Sequence, residues 1–198
     1  MKKIILTLVA VAIGFLLSAC SSEEPKSQKG YLTIEPSQLF VGDTKKLEPH
    51  MGLIGGAVHL KYDGDYKILQ TKYEIWEKGK LTKSSNAFGT SFEEGLDDEL
   101  TFSLKTNENM FDAVLAVSSN KKGYSSSHFS VPKFNEEYAY GPVPIEESIK
   151  VKEGKDEAMW GLIANKDGRI SSEGDINKAA KVADWAFVVK VSIEEEMK

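Results

Sequence analysis

Apolar and polar residues alternate along most of this 198-residue chain, and this two-residue period most narrows the folds open to it. Successive side chains of a strand point to opposite faces, so alternation marks a strand with one buried face. The segment LTFSLKT places Leu100, Phe102 and Leu104 on one face, and related patterns recur in GAVHLKY, KILQTKYEIWE and WAFVVKVSIEEE. FDAVLAVSS is apolar on both faces, which is typical of a central strand. The chain is therefore predicted to be mainly β.

The spacing of these runs favours an immunoglobulin-like β-sandwich of eight or nine short strands. Asp63 and Gly64, between two of the runs, predict a tight turn that joins them as a hairpin. The proline-rich segment 132–148 predicts an irregular connection that crosses from one sheet to the other. One short helix near the C-terminus is expected in GDINKAAKVADW, where apolar residues recur at helical spacing and Asp175 occupies the N-cap position.

The first twenty residues follow a different pattern. Lys2 and Lys3 precede an uncharged apolar run over residues 4–17, and small residues then lead to Cys20. This is the layout of a secretory signal peptide, and the run is shorter than the roughly 20 apolar residues that cross a bilayer. The residues LSAC resemble the lipobox of bacterial lipoproteins. The resemblance implies cleavage before Cys20 and attachment of a diacylglyceryl group to its sulfur.

The expected organisation is a signal peptide over residues 1–19, a flexible polar tether over 20–30 and one β-sandwich domain over 31–198. Two acyl chains give stable anchoring where one does not, so the membrane is the expected partner, at its extracytoplasmic face. The alternative is an ordinary signal peptide with a stray cysteine. Because Cys20 is the only cysteine, a thioether there would leave no thiol for a disulfide, a zinc-thiolate site or catalysis.

The charge balance argues against nucleic acid as a partner. Loss of a signal peptide containing Lys2 and Lys3 would take the formal net charge from −5 to −7. Of the 25 basic residues only Arg169 is an arginine, whereas nucleic-acid binding depends on clustered Lys and Arg. An unknown envelope protein or polysaccharide is the more plausible partner.

Sequence motifs for a nucleophile, a metal or a cofactor do not appear. His50, His59 and His128 are far apart and form no metal-ligand pattern. The glycines of GLIGGAV have the wrong spacing for a phosphate-binding loop, and no nucleophile elbow is present. We therefore expect no cofactor and no metal, and interpret His59, which falls opposite the apolar face of Val58 and Leu60, as solvent-exposed rather than as a metal ligand.

The acidic residues leave an enzymatic alternative open. Carboxylates cluster at 93–94, 97–99, 136–137 and 194–196, and a glycosidase needs two carboxyl groups across a cleft. Sequence spacing cannot establish such a pair, and solvated surface is the preferred interpretation. The favoured function is a noncatalytic binding or structural module of the cell envelope; the alternative is a carboxylate-dependent hydrolase of cell-wall glycan.

The segment NKDGRISSEGD matches the middle of an EF-hand calcium loop. With Gly168 at the sixth place of that loop, the first place is Ile163 and the twelfth is Gly174, so both end ligands are missing. A simple turn without calcium affinity is predicted there.

Aromatic residues could provide a ligand surface. Trp76 falls on the face of its strand opposite Leu69, Tyr73 and Ile75, which makes it the best candidate for an exposed aromatic that contacts a ligand. Packing in the core or between the sheets is the alternative, since large aromatics are also typical of sandwich cores.

Overall fold

The computed structural model describes residues 28–119, 123–170 and 174–197. The signal peptide, Cys20 and most of the tether lie outside these ranges. Two antiparallel sheets pack face to face, and this confirms a mainly β sandwich with a short helix near the C-terminus. No helix within the described ranges is long and apolar enough to cross a bilayer.

The elements follow one another along the chain as eleven strands and a few short helical segments. In chain order they are β1 (Tyr31–Ser37), a 3-10 helix (Gly42–Leu47), α1 (Glu48–Met51), β2 (Leu53–Tyr62), β3 (Ile68–Glu77), β4 (Lys80–Ser91), β5 (Leu96–Asn107), β6 (Met110–Ser119), β7 (Gly123–Pro132), β8 (Ala139–Pro144), β9 (Ile149–Lys152), β10 (Asp156–Asn165), α2 (Ile176–Val182) and β11 (Trp185–Glu194). The six-stranded sheet has the order β7-β6-β5-β2-β1-β9, and the five-stranded sheet has the order β4-β3-β11-β10-β8.

The core lies between the sheets and follows the alternation of the sequence. Leu100, Phe102 and Leu104 of β5 are all buried, as the pattern predicted. The ring of Phe102 meets that of Trp160 from the opposite sheet, with centroids 5.0 Å apart. Such contacts between large apolar side chains supply most of the driving force for folding.

The central strand β11 is buried on both faces because α2 covers the outer face of the five-stranded sheet. Ile176, at the start of α2, packs over Gly161 of β10, where an added Cβ would lie 3.0 Å from the Ile176 methyl. The helix begins where predicted: the Asp175 carboxylate accepts a 2.9 Å hydrogen bond from the Lys178 backbone N–H. This hydrogen bond satisfies an N–H that has no partner within the helix.

The predicted hairpin around Asp63 and Gly64 is wrong. β2 pairs with β1 and β5, whereas β3 pairs with β4 and β11 in the other sheet. The connection therefore crosses from one sheet to the other, and the apolar side chains of β2 and β3 enter the core between the sheets. Tyr62, at the end of β2, stabilises the crossing: its hydroxyl accepts from the Tyr66 N–H and donates to Glu153. A turn signal in sequence marks a change of direction, not the sheet that the next strand joins.

The prediction of an irregular connection over 132–148 is also wrong in part, since it contains strand β8. The chain does cross between sheets on both sides of β8. Pro142 and Pro144 lie opposite Leu162 and Trp160 of β10, at an edge where a missing N–H costs no ladder hydrogen bond. The 3-10 helix and α1, which lie between β1 and β2, were not predicted from the sequence.

Candidate functional site

The two sheets separate along one side of the sandwich and leave a cleft. Its volume is about 370 Å³, which is within the range typical of small-molecule sites. β1 contributes Pro36 to the lining, and the edge strand β8 contributes Pro142 and Pro144. We name this side, formed by the β1 edge beyond Ile34 and by β8, the open seam.

The floor of the cleft is aromatic and closely packed. Phe102 and Trp160 meet there, with Met159 beside them. β2 crosses this floor at Gly55 and Gly56. A Cβ on Gly55 would lie 2.2 Å from the Phe102 carbonyl oxygen, and one on Gly56 would lie 3.0 Å from the Phe102 ring. The two glycines of GLIGGAV are therefore required for the close approach of β2, not for phosphate binding.

Backbone hydrogen bonds fix which groups line the two edges of the open seam. Ile145 N–H donates to the Met159 carbonyl at 3.3 Å, and residues along an antiparallel strand alternate in the neighbour they face. Pro142 and Pro144 consequently face away from β10. On β1, Glu153 N–H donates to the Gly30 carbonyl at 3.0 Å, so the same alternation directs Pro36 outward, beyond the end of β9. Each outward position presents a carbonyl acceptor and no N–H donor.

A helical flap, the 3-10 helix together with α1, borders the mouth of the cleft. None of its residues is buried. Lys45 and Glu48 line the cleft, and neither forms an ion pair with another described residue. Lys46 and Asp43, by contrast, pair with each other at 3.1 Å and do not line the cleft. The mouth therefore carries one cation and one anion that have no ion-pair partner among the described residues.

Trp76 lies away from the cleft, on the outer face of the five-stranded sheet. The ring is partly buried against the core, and its indole N–H donates a 3.0 Å hydrogen bond to Glu74. Leu81, its cross-strand neighbour on β4, is exposed. Trp76 thus occupies the face that the alternation indicated, but with less free surface than an exposed aromatic has, and its role as a ligand contact stays a prediction.

Charged side chains surround Trp76 and balance one another. Lys190 Nζ lies 3.0 Å from Glu74 and 4.0 Å from Asp156, and Lys72 lies 3.9 Å from the same Asp156. Glu74 is buried, and a buried carboxylate needs such a partner. This outer-face cluster (Lys72, Glu74, Trp76, Asp156 and Lys190) is a structural ion-pair network with both signs present.

A second, acidic groove of about 480 Å³ lies at the end of the sandwich where β1 begins. It brings Glu93, Glu94 and Asp98 together with the exposed ring of Tyr124. Sequence analysis identified two of the acidic clusters separately but could not place them in one groove. The groove contains a fourth carboxylate, that of Asp97, which is hydrogen-bonded to His59 at 2.7 Å. The side chain of His59 is therefore paired with a carboxylate at the surface.

The calcium-loop candidate makes the predicted turn over its first described part, residues 165–170. Asp167 Oδ1 accepts from the Arg169 N–H at 3.0 Å, and the Asn165 side chain bonds both the Arg169 carbonyl and the Asp184 N–H. Asp167 Oδ1 and Asn165 Oδ1 thus accept hydrogen bonds from the backbone, and the lack of calcium affinity stays a prediction. Over the described ranges, no group of three or more His, Cys, Asp or Glu residues is placed to hold a metal ion.

Comparisons with protein-family models, curated proteins and solved structures found no match to this chain. The function of the candidate site is therefore inferred from the geometry of this chain alone. Sequence analysis missed the cleft, although signals were present: adjacent glycines inside a strand run mark a close backbone approach, and prolines in alternating segments mark sheet edges.

Proposed function

We propose that the chain is a lipid-anchored, noncatalytic binding module of the bacterial cell envelope, held at the extracytoplasmic face through Cys20. The lipobox-like LSAC and the polar tether support the anchor. The cleft at the open seam is the single observation that supports binding, because it combines a rigid apolar floor with a few polar groups at the mouth, as ligand sites do.

The path of the chain agrees with this proposal. Gly30, where the tether meets the domain, bonds Asp63 and Glu153 at one end of the sandwich. β1 then runs for seven residues, about 23 Å at 3.3 Å per residue, before the flap begins. A domain held by its tether would therefore present the flap and the mouth of the cleft away from the membrane, where an envelope ligand could enter.

The anchor is tested with Cys20→Ser, which removes the sulfur that would carry the lipid. Wild-type protein should partition with membranes and carry a diacylglyceryl mass, and the variant should lose both, as judged by fractionation and intact mass. A Ser18→Ala variant keeps the sulfur and serves as the control. Membrane retention and unchanged mass in Cys20→Ser would remove the anchor from the proposal.

The binding role is tested by blocking the cleft. Gln38 is exposed and lines the mouth, so Gln38→Trp should obstruct entry at little cost in stability, and Gln38→Ala is the matched control. Capture of envelope peptides or glycans by the wild type should be lost in Gln38→Trp alone. If Trp76→Ala abolishes capture and Gln38→Trp does not, the ligand binds at the outer face instead.

The acidic groove supports a second candidate, the glycan hydrolase, because it collects carboxylates from separate clusters. Asp98→Asn removes one charge from that groove with little change in shape. Release of muropeptides by the wild type that is lost in Asp98→Asn would favour the hydrolase. Absence of turnover in both proteins, with ligand capture intact, would favour the binding module.

A further inference from the structure

We propose that the exposed edge of β7 binds an extended, basic peptide segment of another protein, which adds to the six-stranded sheet as a further antiparallel strand. The proposal goes beyond ligand binding in the cleft, because β7 lies on the side of the sandwich away from the open seam. It follows from the outward backbone groups of this edge, from its side chains and from the carboxylates at its start.

The backbone groups of β7 alternate between its neighbour β6 and the solvent. Lys133 N–H donates to the Asn109 carbonyl at 3.0 Å, and these two residues lie opposite each other when the register of β6 and β7 is continued by one pair. Hydrogen-bonded pairs recur at every second residue, so the odd-numbered residues of β7 bond β6. The N–H and C=O groups of four even-numbered residues therefore point out of the sheet: Tyr124, Ser126, His128 and Ser130.

The other three edge strands of the described sheets carry features that hinder strand addition, and β7 does not. β9 has four residues, two of which are exposed lysines, and β8 turns Pro142 and Pro144 outward. β4 has two register irregularities and carries Lys80 and Lys83. β7 runs for ten residues without a register shift, and its four outward residues include no Lys, Arg, Asp or Glu. Short strands, lysine, proline and bulges protect natural sheet edges, so β7 is the edge that is open to a partner strand.

The side chains of β7 leave room for those of a partner strand. Ser125, Ser126 and Ser127 are small, and Phe129 is half-buried on the face toward the core. A partner residue opposite Ser126 or His128 would lie on the polar outer face, whereas its chain neighbours would lie beside Phe129 on the inner face. Cross-strand contacts stabilise a sheet, so this edge favours a segment that alternates polar and apolar residues.

The start of β7 adjoins the acidic groove. Gly123, Tyr124 and Ser125 line this groove together with four carboxylates, and no basic side chain is among its described lining residues. An antiparallel strand on β7 would end beside the groove, because β7 begins there. Lysines at the C-terminal end of the segment would therefore be attracted, and acidic residues there would be repelled.

A second copy of the chain is the poorer occupant of this edge. β7 supplies four serines and a glycine, so two copies of it would bury little apolar area, and each chain has a formal net charge of −5. β1 runs parallel to β7 through three antiparallel neighbours. Antiparallel pairing would therefore place the two Gly30 residues, where the tethers meet the domains, at opposite ends of the joint sheet. Two copies anchored in one membrane would then be oriented oppositely, a step that rests on the proposed anchor.

The experiment titrates peptides with blocked ends into the full chain in nanodiscs of zwitterionic lipid, with empty nanodiscs as the blank in calorimetry. TVTVTVKK should bind with a Kd on the order of 1 mM or below, and TVTVTVEE at least roughly fivefold more weakly at low salt. N-methylation of the threonine amides should abolish binding, because these N–H groups bond β7 when the valines face the core. N-methylation of the valine amides should not, because their N–H groups point away.

Variants of the chain locate the edge that binds. Ser126→Pro removes an outward N–H and no bond to β6. It should weaken binding of TVTVTVKK at least roughly tenfold with little change in melting temperature, and Ser126→Ala is the matched control. His128→Pro is an equivalent test at the next outward residue. Asp98→Asn in the acidic groove should weaken binding about twofold at low salt, whereas Asp43→Asn on the flap should leave it unchanged.

Equal binding of the two methylated peptides, or equal binding by Ser126→Pro and Ser126→Ala, would overturn the assignment to β7. Wild-type dimers in light scattering that Ser126→Pro abolishes would make a second copy the occupant and would overturn it as well. Gln38→Trp should bind the peptide like the wild type. Loss of peptide binding in Gln38→Trp would place the peptide in the cleft, which supports the proposed function and overturns this inference. Failure of the cleft to capture an envelope ligand, with the peptide bound at β7, would count against the proposed function alone.

Discussion

The two long sides of the sandwich differ in how their sheet edges meet. On one side β4 and β7 contact each other, and Phe129 of β7 stacks on Tyr73 of β3 with ring centroids 4.5 Å apart. Lys83 of β4 extends over the same Tyr73 ring, 5.3 Å from its centroid. We name this side, formed by β4 and β7, the closed seam. On the open seam β1 and β8 carry prolines and leave the cleft.

The difference shows what decides whether a sandwich edge closes. At the closed seam a large side chain from one sheet is covered by side chains from both edge strands, so water is excluded. At the open seam the facing positions carry Gly55, Gly56, Pro36 and Pro144, and none of these extends far into the gap. Small and rigid residues at a sheet edge thus leave a pocket, while the side chains around the pocket remain packed in the core.

The largest expected effect is at the closed seam. Tyr73→Ala removes a buried ring that stacks on both Phe129 and Phe187, and should lower the free energy of unfolding by about 3–5 kcal/mol, as truncation of buried aromatics does. Urea denaturation measures this. Tyr124→Ala is the matched control, because that tyrosine is on β7 and exposed; it should change stability by less than about 0.5 kcal/mol. Equal losses in the two variants would mean that Tyr73 does not close this side.

The buried faces of the central strands could be predicted from the sequence, but little of either seam: β4 (Lys80–Ser91), one of the two strands of the closed seam, was not identified. Alternation identified the buried faces of β5 and β11 and the inward position of Tyr73, because burial of apolar area dominates strand packing. It could not identify the crossing after Asp63, since a turn has the same residues whether the next strand pairs or changes sheet. The cleft was missed because it depends on which edges lie opposite each other, a property of topology.

The second prediction concerns the floor of the open seam. Gly55→Ala would place a Cβ 2.2 Å from the Phe102 carbonyl oxygen, a backbone atom that cannot yield. β2 must shift, at a cost of about 2–3 kcal/mol. Gly141→Ala on β8 is the control, because its Cβ would meet only the terminal methyl of Ile170 at 2.8 Å, and a flexible side chain can move away. Thermal and urea unfolding compare the two, and similar costs would contradict the tight crossing.

The third prediction concerns α2, which covers the outer face of the five-stranded sheet. It tests whether a change at this face alters either seam. Asp175→Ala removes the N-cap of α2 and should cost about 1 kcal/mol at neutral pH. The hydrogen bond from the Lys178 backbone N–H holds the pKa of Asp175 below its ordinary value of 3.8. The cap therefore contributes fully above that ordinary value, and its contribution is lost as pH falls through the lowered pKa of the folded state.

Denaturation of wild type and Asp175→Ala across pH 2–7 gives the measurement. The stability difference should be constant above about pH 4 and shrink below it. Asp167→Ala is the control, since that carboxylate caps no helix. A difference that grows towards acid would contradict the assignment of Asp175 as the cap, and altered cleft binding in Asp175→Ala would show that the outer face and the open seam are coupled.

The smallest expected effect on stability is at the edge that the open seam leaves exposed. Pro144→Ala restores an N–H that points away from β10, at a position where β8 has no further neighbouring strand within the described part of the chain. The folded domain should lose only about 0.5 kcal/mol, mainly because the unfolded chain becomes less restricted.

An edge strand with free donors and acceptors is, however, a template for pairing with another chain. Light scattering after size exclusion should therefore show concentration-dependent dimers for Pro144→Ala, whereas Pro49→Ala, in α1 and away from any strand edge, should remain like the wild type. Dimers of both variants, or of neither, would show that the prolines of the open seam do not protect its edge, and the contrast between the two sides would then depend on side-chain size alone.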